Sequence, residues 1–181
     1  SLIDRKDTWS GNEQLGIRTN LTHREFIYRM AYEMGRHVIG YEVQKILAAV
    51  DWFAKSAPRT SIGVFGYGEG ALLALYSAAV DLRIDAACVS GYFTSRQKLW
   101  QEPLYRNVWT LLHEFGDAEI ASLIAPRTLI IEASRGPEIS GPPPAGDGRL
   151  RSAASGSLVS PPLFDVRQWR SRCGQLERKR L

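Results

Sequence analysis

The chain has 181 residues, 44% hydrophobic and 23% charged, with a formal net charge of +4. That size and apolar content suit one ordinary core and exclude a disordered chain, and no apolar run approaches the ~20 residues that cross a membrane. Two cysteines, Cys88 and Cys173, imply no disulfide framework and no metal-ligand pairing.

The basicity is local. From Arg149 onward eight Lys or Arg face only Asp165 and Glu177, which leaves 15 basic and 17 acidic residues over 1–148. A basic terminus can bind phosphates, yet Trp169 stands alone there, without the aromatic spacing of a stacking platform. The expectation is a solvated tail on a nearly neutral body, with no nucleic-acid or membrane partner.

In chain order, Ser1-Leu2-Ile3-Asp4 reads as the end of a strand and does not itself have the charged-then-apolar pattern of a leader. Thr22-His23-Arg24-Glu25 has the pattern of a capping box. Ile27, Met30, Ala31, Met34 and Val38, then Val43, Ile46, Leu47, Val50 and Phe53 recur at three- and four-residue steps, predicting a long helical segment packed on a sheet. Gly35 and Gly40 interrupt it, so the helix bends there or its backbone approaches a neighbour closely. Ala57-Pro58-Arg59 ends the segment and leads into a short apolar strand.

Ile62-Gly-Val-Phe-Gly-Tyr-Gly-Glu-Gly-Ala71 carries that strand through a glycine-spaced turn into a helix over residues 71–80. Two chemistries use such a turn. Gly66, Gly68 and Ala71 satisfy the dinucleotide pattern G-x-G-x-x-A, in which a pyrophosphate sits at the helix N-terminus. That pattern needs an acid at the end of the next strand, but residues 86–90 run into Gly91-Tyr92-Phe93, and Asp81 and Asp85 precede the strand as loop punctuation. Nucleotide binding is therefore the second choice. The same turn matches G-x-Ser-x-G, whose central residue is lifted above the sheet as a nucleophile. Gly68 holds that central position and has no side chain.

Further along, Trp100, Tyr105, Trp109 and Phe115 enrich residues 95–115 in large aromatics, a pattern that favours core over a substrate wall. Asp117 is placed to cap a short helix that Pro126 ends, and an apolar strand follows over 128–132. Residues 136–162 turn to Pro, Gly and Ser, a long loop or linker. Residues 166–181 have the composition of a basic helix with sparse apolar positions.

Taken together, Gly66 to Tyr76, Arg83 to Phe93 and Glu119 to Ile131, with Ile124-Ala-Pro-Arg127 the sharpest element, resemble α/β-hydrolases of the dienelactone hydrolase and acetyl xylan esterase type. The resemblance covers roughly residues 25–132. It implies a partial α/β-hydrolase-like sheet, mostly parallel and flanked by helices, over residues 1–135, then the linker 136–162 and the tail 163–181. It also implies further strands before residue 1, the loop that gives half of an oxyanion hole, and a substrate that is a small-molecule ester or an acylated carbohydrate.

The catalytic inventory is short of that family's needs. Gly68 supplies no nucleophile, and His23, His37 and His113 all precede the acid-loop strand, whereas the base should follow it. Glu132 and Glu138 fall near the orienting acid's position. The backbone amide of Glu69 matches the oxyanion donor, while its side chain would favour the helix N-terminus. Ser90 and Ser95 are substitute nucleophiles by place, though a serine at a strand end is usually a turn residue. His37 reads as a helix-surface or satisfied interior side chain, Cys88 as a small strand hydrophobe, and no cofactor or metal is expected. Two functions from different classes remain: a weak or differently organised ester hydrolase, and a non-catalytic scaffold that keeps a pocket for binding or assembly.

Overall fold

The computed structural model describes residues 2–3, 9–141 and 156–162. The tail 163–181, with Trp169 and Cys173, the centre of the linker and part of the expected N-terminal strand lie outside them. The described residues divide into two compact units: those within 1–42, 98–108 and 139–158, and those within 43–97, 109–138 and 159–162.

The first unit opens with an antiparallel hairpin, β1 (Trp9–Asn12) and β2 (Ile17–Thr22), a pair absent from the sequence expectations. Its turn is set by Asn12, whose side chain accepts from the Leu15 amide at 3.2 Å, and by the left-handed Gly16. Helix α1 (His23–Glu33) follows. Thr22 is its N-cap by backbone conformation but makes no side-chain capping bond, and the Glu25 carboxylate accepts instead from Arg29 at 2.7 Å, so the expected capping box is corrected. The long helical segment is likewise two helices. Gly35 at φ +65° ends the first, and α2 (Val38–Ser56) starts afresh, with Gly40 inside it and open space where a Cβ would stand.

A buried ion pair organises this unit. Arg24 donates to both carboxylate oxygens of Glu42, at 2.8 and 2.9 Å, and to the Ile3 carbonyl at 2.6 Å, while its guanidinium lies 4.7 Å from the centre of the Tyr105 ring. Glu42 also accepts from the Ile3 amide at 2.7 Å. These bonds, which engage both terminal guanidinium nitrogens and both carboxylate oxygens, are what make two buried charges tolerable.

The second unit is a three-stranded parallel sheet in the order β3 (Ile62–Tyr67), β4 (Ile84–Ser90), β5 (Thr128–Glu132). Registers are regular after one irregularity near Ile62, with Phe65 beside Cys88 beside Ile130, and Tyr67 beside Ser90 beside Glu132. Helix α3 (Glu69–Val80) connects β3 to β4 and packs on both; from Ala71 to Leu75 it is buried all round, as a helix made of Ala and Leu must be. Short helices α4 (Leu111–Glu114) and α5 (Asp117–Ser122) precede β5, α5 lying against α3. The N-cap of α5 is Gly116 rather than Asp117, with the Glu119 carboxylate accepting from the Gly116 amide at 2.9 Å. Asp85 is the second residue of β4, not a loop residue, and accepts from the Ile62 amide at 2.8 Å. Trp100 and Trp109 are 78% and 72% exposed, against their expected place in a core.

Candidate functional site

Open parallel sheets gather ligands beyond the carboxyl ends of their strands. Here that edge is made of Gly66 to Glu69, Ser90 to Tyr92 and Glu132 to Pro137. The turn after β3 has the geometry its glycines demand. Gly68 sits at φ +57°, ψ −117°, outside the basins that side-chain-bearing residues occupy readily. Its amide donates to the Ser90 carbonyl at 2.9 Å, tying it to β4, and its own carbonyl accepts from the Ala71 and Leu72 amides at 3.0 and 3.3 Å, starting α3. Gly66 faces the backbone of Gly70 so closely that a Cβ would overlap the Gly70 carbonyl, so the tight turn depends on a bare residue there.

The apex itself is covered. A Cβ built on Gly68 would lie 2.5 Å from Cδ and 2.6 Å from Cγ of Pro137. No sequence signal singled out Pro137, because its role is a contact over 69 positions of chain. Glu69 follows the apex with its side chain buried rather than turned outward. Ser90, the last residue of β4, is buried with its hydroxyl 2.8 Å from that of Ser134. A second hydroxyl is no base, and among the described residues no carboxylate or imidazole is hydrogen-bonded to either serine side chain. Ser95 lies beyond Gly91, and the Glu132 side chain ends β5 exposed, while its carbonyl accepts from Gly91 and Ser134 at 3.3 and 3.1 Å. Glu138 is exposed as well.

Two of the three histidines are engaged elsewhere. His113 pairs with neighbouring Glu114 at 2.7 Å. His37 caps α2: its Nδ1 accepts from the Ile39 amide and its Nε2 lies against the Asn107 carbonyl, both at 3.1 Å, which fixes the neutral tautomer with the proton on Nε2. Burial is the main cause holding its pKa below 6.5, with nearby Arg24 acting in the same direction. The Cys88 thiol is pushed up by burial and by Glu132, away from a reactive thiolate. Among the described residues no group of three or more His, Cys, Asp or Glu could hold a metal ion.

Beside this edge, Asp117 is buried and accepts from the Tyr92 hydroxyl at 3.0 Å and the Thr94 amide at 3.4 Å, with Arg96 Nε at 4.0 Å. That cluster fixes the path of the chain as it leaves β4.

The described part of the molecule is thus a mixed α/β chain whose parallel sheet is flanked by helices. No family model, curated protein or solved structure matches the chain. No described helix is long and apolar enough to cross a membrane.

Proposed function

We propose that the chain is a non-catalytic relative of α/β-hydrolases of the dienelactone hydrolase and acetyl xylan esterase type, a scaffold that keeps the nucleophile elbow's backbone and has given up its chemistry. The observation that carries this reading is Gly68: a positive-φ apex between a strand and a helix, joined to β4 through Ser90, with no side chain and with Pro137 against it. Loss of the nucleophile lowers turnover on the order of 10⁶-fold in enzymes where it has been dissected, and among the described residues no base is hydrogen-bonded to the Ser90–Ser134 pair that could replace it. The ester-hydrolase alternative needs both.

Dinucleotide binding has less support. The end of β4 presents Ser90 where a ribose-binding acid belongs, and Asp85 lies at the other end of that strand.

The test is covalent labelling. Full-length protein treated with a fluorophosphonate probe and with chromogenic short-chain esters is expected to give no adduct and no turnover above buffer. Gly68→Ser alone is expected to restore neither. A stoichiometric adduct on the unmodified chain overturns the reading.

A further inference from the structure

After β5 the chain crosses back over the strand ends, and each of four consecutive residues is attached there. The Ser134 hydroxyl meets that of Ser90 at 2.8 Å. The Arg135 carbonyl accepts from the Tyr67 hydroxyl at 2.8 Å. Gly136 lies so close to Gly91 that a Cβ would overlap the Gly91 carbonyl, and its amide donates to the Ser160 hydroxyl. Pro137 covers Gly68, where an added Cβ would stand 2.5 Å from the ring. From the other side, a Cβ on Gly91 would meet the Arg135 carbonyl at 2.9 Å and Gly136 Cα at 3.1 Å.

A surface connection has no need of such contacts. Loops run over protein surfaces with their backbone turned to water, whereas this tetrapeptide spends its one glycine on close approach to Gly91 and a proline on filling one point. Proline suits a filler, since its ring is rigid and it brings no amide that would need a partner.

We infer that residues 134–137 are a built-in occupant of the strand-end crevice, an autoinhibitory strap whose Pro137 fills the volume into which an elbow side chain would project. The interpretation of that volume as a former catalytic site rests on the function proposed above; the seating of the strap does not. While the strap is seated, the crevice admits no small molecule at Gly68, and ligand entry requires residues 134–137 to lift as a unit. Gly68 and Pro137 are then a matched pair, each setting the limit on the other.

Two measurements on the full chain test this. The first is a double-mutant cycle in urea. Gly68→Ala strains the backbone in any background, so the quantity of interest is how far Pro137→Ala changes its effect. Expected is a fall in the folding constant at least about fivefold smaller when Pro137 is Ala, because contacting residues couple. Equal falls in the two backgrounds overturn the inference. The second needs no disruptive variant and decides the matter if Gly68→Ala does not fold. In the unmodified protein, the Gly136 amide is expected to exchange with solvent as slowly as those of the β4–β5 ladder, and Tyr67→Phe to speed it by about fivefold, one hydrogen bond's effect. Exchange of Gly136 at the rate of an open loop overturns the strap. Probe labelling of the unmodified chain together with slow Gly136 exchange would remove the proposed function and leave the strap standing.

Discussion

His37 is the residue whose chemistry the fold fixes most fully. Its ring accepts from the Ile39 amide through Nδ1, so protonation there destroys the cap of α2 and sets a positive charge against the positive end of a helix. The Tyr28 ring packs edge-on at 5.1 Å, and Arg24 and Glu42 act on the ring with opposite signs. Because the folded-state pKa lies below 6.5, the unfolded chain takes up the proton first as pH falls. The contribution of His37 to stability is therefore complete above about pH 6.5 and is lost below it, at no more than about 1.4 kcal/mol per pH unit. Urea midpoints at pH 7.5 and 5.5 are expected to differ more for the unmodified chain than for His37→Asn, since asparagine caps a helix without titrating. Equal differences would show that the imidazole stays neutral in both states or charged in both.

Gly66 makes a simpler prediction at the same scale. Gly66→Ala places a methyl group on the Gly70 carbonyl, inside a turn held at both ends by β3 and α3. Nothing flexible is present to give way. The expected loss is on the order of 3 kcal/mol or more, read as a thermal midpoint well below that of Gly70→Ala, whose Cβ meets open space.

Between elements, the bond from Arg24 in α1 to Glu42 in α2 governs the first unit. Removing one partner strands the other charge in a buried site, so Glu42→Ala is expected to cost about 3–5 kcal/mol. The paired change Arg24→Met with Glu42→Leu removes both charges and is expected to recover most of that loss, measured by denaturant unfolding. If the double variant is as unstable as the single one, the pair is holding geometry that apolar side chains cannot reproduce. These elements were legible in the sequence to different degrees, for physical reasons. Residues 128–132 and the helix after Gly68 follow from local pattern: a short apolar run or an Ala-Leu run, bounded by Pro or Gly, leaves few alternatives. The break at Gly35 was visible as a conflict with helix propensity, and the left-handed backbone there resolves it. The hairpin of β1 and β2 gave no comparable signal, since Ser10-Gly11-Asn12 has neither alternation nor β-branched residues and owes its pairing to the partner strand. At the site, Gly68 was readable because a motif names its neighbours. Pro137 was not, because only the folded chain brings it to the apex.

For the molecule as a whole, the parallel sheet has two unlike faces. Alternation along the strands sends Ala87 and Val89 inward, where both are buried, and sends Phe65 and Ile130 to the opposite face, where they flank Cys88 in register and remain 68% and 55% exposed. Parallel sheets ordinarily have both faces covered, since crossover helices fall on each, and a bare apolar face of this kind is an association-prone surface. Phe65 and Ile130 contribute little to the core that α3 builds on the other side. Replacing both with Thr keeps strand propensity, because threonine is β-branched, while removing the largest apolar areas from the exposed face. The expected result is a thermal midpoint within about 1 kcal/mol of the unmodified chain's stability, together with weaker binding of a hydrophobic dye and less light scattering at high concentration. A large loss of stability would mean that these two side chains are covered in solution, and dye binding that does not change would place the apolar surface elsewhere on the chain.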